Sequence, residues 1–264
     1  MITLNEIIKK YGIDKLNSLT KYPSILTYHD LGEKGSLKPS LVENKSFKNE
    51  NNVYLTEKID GTNSRIVFWN NDFLIGSREN FLYAKGDRFG DSTLNIVNTI
   101  KDIANKISDS IDNNYIYILY GETYGGNVTS ASKNYTCDKS YNFRMFDVVI
   151  IPIDIAIQIL TKSIEEISSW REHGGQCFLT INDIKLFSEK YNIVTVPYIK
   201  IVNGKEFPLD LKSTYEWLQE FSITKAGINN TGKTEGIVVR NFNRSLIRKI
   251  RFEDYERTQK RGGF

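Results

Sequence analysis

The spacing of apolar and polar positions changes period several times along the 264 residues. Residues 3–18 carry apolar side chains at helical spacing and read as a short helix. From Val53 the period shortens towards two. Arg65–Trp69 and Phe73–Ser77 flank Asn70-Asn71-Asp72, and this predicts a β-hairpin with a polar turn. Helical spacing returns in Leu94–Ile107, predicting a helix over roughly 93–108. Tyr115–Glu122 and Phe143–Ile151 are apolar runs of strand length. Ile181–Tyr191 and Ser213–Phe221 read as helices, and Glu235–Asn241 and Ser245–Phe252 as closing strands. The stretch 153–178 fits helix and strand templates equally. Hairpins mixed with helices, without regular alternation, predict an α+β fold with antiparallel sheets. No internal repeat interrupts the chain.

Composition narrows the picture little. Hydrophobic content of 40% and charged content of 25% are those of a globular protein with a sizeable core. A net charge of +3 does not announce a nucleic-acid binder. Its distribution says more: seven Arg or Lys against three acids lie between Arg244 and Arg261. Such an end suits phosphate, although its last residues read as a solvated tail. Two cysteines, Cys137 and Cys177, exclude a disulfide framework and a multi-cysteine zinc site. His29 and His173 leave little material for a histidine metal site and read as surface or packing residues. The apolar-rich run 146–160 is broken by Asp147, Pro152, Asp154 and Gln158, so no bilayer span is expected. With no signal-like start, a reducing cytoplasmic setting is the expectation.

Candidate chemistry sits at the strand ends. Lys58 and Asp60 follow the first strand in "TEKIDGTN", and Arg78 follows the hairpin. Glu122 closes "YILYGE", Glu235 opens "EGIVVR", and Lys249 and Arg251 alternate in "IRKIRF". At period two the last pair faces one side of a strand. Lone strand-terminal charges are ordinary. Arg65 reads as a strand surface residue. Lys85 and Arg88, in the glycine-punctuated "AKGDRFGD", read as a solvated loop, and the tyrosines of "NYTCDKSYNF" read as packing.

Six segments in order resemble the covalent nucleotidyltransferase superfamily: "EKIDG", "SRE", "YGET", "FRMFDV", "TEGIVVR" and "RKIRF". Lys58 and Glu122 are 64 residues apart, Glu235 and Lys249 14 apart. "KIDGTN", "EGIVVR" and "RFEDYERT" are most similar to the RNA ligase 2-like branch, the RNA ligase domain family. The resemblance implies a nucleotidyltransferase core of two antiparallel β-sheets with flanking helices over 53–264. Residues 1–52 are expected as a helical and loop segment packed on it. With 13 residues after Arg251, no C-terminal OB-fold domain is expected.

The implied activity is ATP-dependent joining of a 5′-phosphate RNA end to a 3′-hydroxyl end through a lysyl-AMP on Lys58. A lysine amine ordinarily titrates near 10.4, so only about one in a thousand is neutral near pH 7.4. Lys249, Arg251 and a bound Mg²⁺ (or Mn²⁺) would disfavour its proton and offset the phosphate charge. The resemblance implies metal contacts from Asp60, Glu122 and Glu235. It also implies adenine contacts from Glu57 and stacking from Phe146. Gly61 would allow close backbone approach, Arg78 would contact the ribose or substrate strand, and Asn63 would lie near the 3′-terminal ribose. Arg251 departs from the usual lysine of the last motif, keeping the charge but not the shape. The rival readings are a minimal DNA nick ligase and a ligase-fold protein that only binds RNA ends.

Overall fold

The computed structural model describes residues 3–88 and 95–264, which fall into two compact units. The first comprises residues 1–24, 61–129 and 141–195; the second comprises 25–60, 130–140 and 196–264. The fold is α+β and both main sheets are antiparallel, as the strand pattern predicts.

The chain opens with α1 (Leu4–Tyr11) and α2 (Ile13–Thr20). Thr3 and Glu6 form a reciprocal capping box at the start of α1. Gly12, at φ 88°, splits in two the helix expected over 3–18. A small hairpin of β1 (His29–Leu31) and β2 (Leu37–Leu41) precedes β3 (Val53–Lys58).

The first unit is built on β4 (Thr62–Trp69), β5 (Asp72–Ser77), β6 (Phe81–Ala84), β7 (Asp87–Arg88), β8 (Tyr115–Gly125) and β9 (Tyr141–Pro152). Their order is β7-β6-β5-β4-β8-β9. Asn70 and Asn71 both have positive φ, as a two-residue turn between right-twisted strands requires, so the expected hairpin forms. Between β7 and β8, α3 (Ile96–Ser108) buries Ile96, Val97, Ile100, Ala104 and Ile107 in one of the unit's two apolar clusters. Positions 93 and 94 of the expected helix, and Phe89–Asp91 of the expected loop, lie outside the described residues. The ambiguous stretch after β9 forms α4 (Ile153–Leu160) and α5 (Ile164–Glu172), the latter capped by a Ser163–Glu166 box. Here Ala156, Ile159 and Leu160 of α4 and Ile167 of α5 join the second cluster with α1 and α2. The helix α6 (Ile181–Tyr191) adds Ile184 and Phe187 to the first cluster.

The reading of Arg65 as a surface residue is wrong. Arg65 is fully buried, with its guanidinium 4.8 Å from the Phe81 ring centre and donating to the Asn17 side chain. Central β4 pairs with β5 and β8, and from Ser64 to Trp69 every residue is buried on both faces. Alternation therefore carries no surface signal there. Burial pulls the Arg65 pKa down to about 10.

The second unit holds β10 (Tyr198–Val202), β3, β11 (Gly236–Asn241) and β12 (Ile247–Arg251), in the order β10-β3-β11-β12. The helices α7 (Leu211–Leu218) and α8 (Phe252–Lys260) complete it. Its core gathers Val53, Leu55, Phe207, Leu211, Ile237, Val239 and Tyr255 among others. His29 is a packing residue here, held between the Tyr255 hydroxyl at 2.7 Å and the Leu209 carbonyl at 3.0 Å.

Candidate active site

Register decides which charges meet at the end of the four-stranded sheet. Gly236 on β11 lies opposite Lys58 on one side and Arg251 on the other, and Val238 lies opposite Lys249. Lys58, Lys249 and Arg251 therefore share one face of three adjacent strands. Gly236 is needed at the junction, because an added Cβ would fall 2.1 Å from the Ile250 carbonyl oxygen. Glu235, the residue before β11, receives the Lys58 ammonium at 2.6 Å. Its other oxygen stands 3.8 Å from Arg251 Nη1. Arg251 also makes a two-pronged contact with the buried Asp254 carboxylate, both bonds 2.8 Å. A helical turn separates these two residues, so the start of α8 aims the guanidinium.

The electrostatics follow from partial burial. Loss of solvent raises the Glu235 pKa, and the Lys58 charge works against that rise. Lys249 is pulled down, first by burial and then by the Arg251 and Lys58 charges. Burial would lower Arg251 too, but Asp254 outweighs it and the net shift is upward. The unit thus holds three cations close enough to repel one another, with Glu235 between two of them.

Glu57 points the other way, as strand alternation requires. It is 3% exposed. Its carboxylate accepts hydrogen bonds from the Thr224 hydroxyl and, at 2.7 Å, from the Lys225 backbone N–H. Burial raises its pKa, and these bonds lower it in part. On the far side of Lys58, the Asp60 N–H donates to the Tyr135 hydroxyl at 2.8 Å. The Thr234 hydroxyl donates to the Lys58 carbonyl at 3.3 Å. The chain around Lys58 is therefore held at residues 57, 58 and 60, through the Glu57 carboxylate, the Lys58 carbonyl and the Asp60 N–H, by two loops, 130–140 and 222–235. Sequence reading missed these anchors. Tyr135 is a buried residue, as its type suggests, and nothing local marks its hydroxyl as a backbone partner.

The remaining candidates belong to the six-stranded unit. Gly61 lies against β8, where an added Cβ would be 2.4 Å from the Thr123 carbonyl oxygen and 2.9 Å from Glu122 Cγ. No other residue fits so close an approach. Asn63 on β4 is the register partner of Glu122, and its Oδ1 is a buried acceptor with no donor among the described residues. Glu122 lies inside β8 and does not end it, because the ladder with β9 continues to the Gly125–Tyr141 pair. Phe146 is the extra residue of a bulge in that ladder, between the Tyr120–Asp147 and Gly121–Met145 pairs. Bulges of this kind re-aim side chains. Its half-buried ring meets Tyr22 edge-on at 5.0 Å, and the Tyr22 hydroxyl donates to Asp147 at 2.6 Å. Arg78 is exposed and donates to the Ser24 hydroxyl at 3.1 Å.

Among the described residues, no group of three His, Cys, Asp or Glu side chains stands together as a ready metal centre. No helix among them is long and apolar enough to cross a membrane.

Comparison with known proteins adds the family. A family model described as RNA ligase matches residues 51–255. A search of curated protein sequences returned no match. Among solved structures, the chain is similar to a Naegleria gruberi RNA ligase lysine-to-alanine mutant with ATP and Mn, at 14% identity and a TM-score of 0.55. That match covers 90% of this chain and 63% of the other. The same Naegleria gruberi ligase with PPi matches at 15% identity and a TM-score of 0.55, covering 90% and 64%. At such identities the likeness is one of fold, and the chain spans less than two thirds of those ligases.

Proposed function

We propose that this chain, which belongs to the RNA ligase family, joins RNA ends at the expense of ATP through a covalent adenylate on Lys58. One observation carries the reading. Lys58 is ion-paired with Glu235 at a strand end where Lys249 and Arg251 face the same side.

The chemistry follows from that arrangement. In the first step the Lys58 amine gives up a proton and attacks the α-phosphate of ATP. An N–P bond forms, the bond to the β-phosphate oxygen breaks, and pyrophosphate leaves. Glu235 Oε2, 2.6 Å from Nζ, is the acceptor in reach. Its basicity is raised by burial, which makes it a better base than an exposed carboxylate. Lys249 and Arg251, on the same face as Lys58, are placed to offset charge spreading over phosphate oxygens. In the second step a 5′-phosphate oxygen attacks the adenylate phosphorus, the N–P bond breaks, the Lys58 amine leaves and takes back a proton, and a 5′–5′ pyrophosphate forms. In the third a 3′-hydroxyl attacks the 5′-phosphorus, a phosphodiester forms and AMP leaves.

Divalent-metal contacts are proposed for Asp60 and Glu235 in the four-stranded unit and, separately, for Glu122 in the six-stranded unit. The donor set is all carboxylate oxygen, which suits Mg²⁺ or Mn²⁺. When bound, such an ion would neutralise phosphate charge and disfavour an ammonium beside the same carboxylates. On the base and sugar side, the re-aimed Phe146 suits stacking and the open Asn63 Oδ1 suits a hydroxyl donor. Glu57 is offered to adenine by position, but its carboxylate is already held by Thr224 and Lys225.

The test is incubation with α-labelled ATP and a divalent cation, followed by addition of nicked RNA. Wild-type protein should carry one acid-labile, base-stable label per chain and then seal the nick. Lys58→Ala should lose both. Label that persists on Lys58→Ala, or no label on the wild type, removes the proposal. Nicks lacking the 2′-hydroxyl on the 3′ side separate an RNA ligase from a DNA nick ligase.

A further inference from the structure

We propose that the paired loops 130–140 and 222–235 form a docking surface for the phosphate backbone of the RNA substrate, through Lys133, Lys139, Lys225 and Lys233. The inference rests on the ligase reading and adds the place where this chain grips its polymer.

All four lysines are exposed, and none is in a salt bridge among the described residues. Surface lysines are usually solvated and carry no message. These differ in how firmly their backbone is held and in what holds it. The Tyr135 carbonyl accepts from three successive amides, Ile228, Asn229 and Asn230, at 2.8, 3.3 and 3.3 Å. The Asn230 side chain donates to the Lys133 carbonyl at 2.6 Å, and the Cys137 N–H donates to the Asn229 side chain at 2.9 Å. The Gly232 N–H donates to the Asn134 carbonyl at 2.8 Å, and a Cβ on Gly232 would lie 2.7 Å from Asn134 Cα. The two loops are thus one body.

That body is fastened to the nucleophile's own strand end. Lys225 supplies the N–H that Glu57 accepts, and Lys233 precedes the Thr234 that bonds the Lys58 carbonyl. Lys133 lies two residues before the Tyr135 that bonds Asp60. Lys139 adopts φ +62°, which asparagine or glycine would occupy at lower cost. Asp138 holds that turn by accepting from the Ser140 N–H and hydroxyl and the Thr136 hydroxyl. Its carboxylate, well below the usual range for those reasons, is the exposed acid within the 130–140 loop. Four ammonium groups on a rigid cap, each within four residues of a bond to position 57, 58 or 60, match an anionic polymer led to the reacting lysine.

The test measures binding, not turnover, on full-length Lys58→Ala protein with a nicked RNA duplex across a salt series. Replacing all four lysines by glutamine should lower the slope of log affinity against log salt by about 3, at roughly 0.7–0.9 per phosphate contact. Replacing them by arginine should retain the slope. Glutamine at Lys9, Lys10 and Lys106, exposed on helices of the other unit, and at Lys162, exposed in its α4–α5 turn, should leave it within about 1. If the fourfold variant does not fold, the pairs Lys133/Lys139 and Lys225/Lys233 should each remove about half of the effect. An unchanged slope in a folded variant overturns the docking surface and leaves the adenylate reading standing. Failure of wild-type protein to take label from ATP overturns the latter and leaves this measurement valid.

Discussion

The four-stranded and six-stranded units treat buried charge in different ways. At the end of the four-stranded sheet, Lys58, Glu235 and Arg251 are 18–25% exposed and paired across neighbouring strands. The Lys58 charge works against the rise in Glu235, and the Glu235 charge helps to raise Arg251. In the six-stranded unit Arg65 is wholly enclosed, over a ring and against one amide. Among the described residues no carboxylate stands within bonding distance of it. Partial exposure with a partner gives a group that can exchange a proton; full enclosure gives a structural plug.

The largest effect should come from Glu235→Gln. The amide keeps the shape but cannot accept the Lys58 proton. Transfer of labelled AMP to protein should fall about 100-fold or more, with the fold intact by thermal unfolding. A drop of less than about threefold would mean that Glu235 only holds Lys58 in place. Next is Arg65→Ala, which should destabilise the protein by ~3 kcal/mol in denaturant unfolding, since it empties a filled site and strands Asn17. Arg65→Met should recover most of that loss, because volume and not charge is what the interior needs there. If methionine is as damaging as alanine, the two units do not differ as described.

Arg251→Lys should have a smaller effect, about tenfold on adenylate transfer. The ammonium keeps the charge but cannot reproduce the two 2.8 Å bonds to Asp254 that aim the group. Its signature should be a fall in kcat at nearly constant KM for ATP. A rise in KM alone would assign Arg251 to ground-state binding of the phosphates.

The legibility of the molecule divides along the same line. The hairpin at Asn70-Asn71, the long strands and the facing of Lys249 and Arg251 could be read directly, because turn chemistry and period two act locally. The family resemblance grouped Lys58 with Glu235, and in the structure the two form an ion pair. Helix breakage at Gly12 was missed because one glycine inside a helical pattern is usually tolerated. Arg65 was misread because a strand covered on both faces loses its polar alternation. The Tyr135, Thr224 and Thr234 anchors were invisible for another reason. Bonds between residues 75 to 176 positions apart depend on how loops close, and no local pattern encodes that.

The smallest effect tests the cost of keeping a carboxylate behind the nucleophile. Burial raises the Glu57 pKa above that of an unfolded chain, where a glutamate titrates near 4.3. Between those two values the folded protein binds more protons than the unfolded one. Stability from this group is therefore fully present below about pH 4.3 and is lost as pH rises through the folded value. The slope is at most about 1.4 kcal/mol per pH unit for one group. Glu235 is raised by the same cause and adds a slope of the same sign. Glu57→Gln removes one of the two contributions while keeping an acceptor for Thr224 or Lys225. Unfolding free energies of wild type and variant should nearly coincide near pH 4 and separate towards pH 7, with the variant the more stable. Parallel curves would mean that the hydrogen bonds to Glu57 offset its loss of water in full. The four-stranded unit would then hold that charge at no cost, and the contrast with Arg65 would rest on exposure alone.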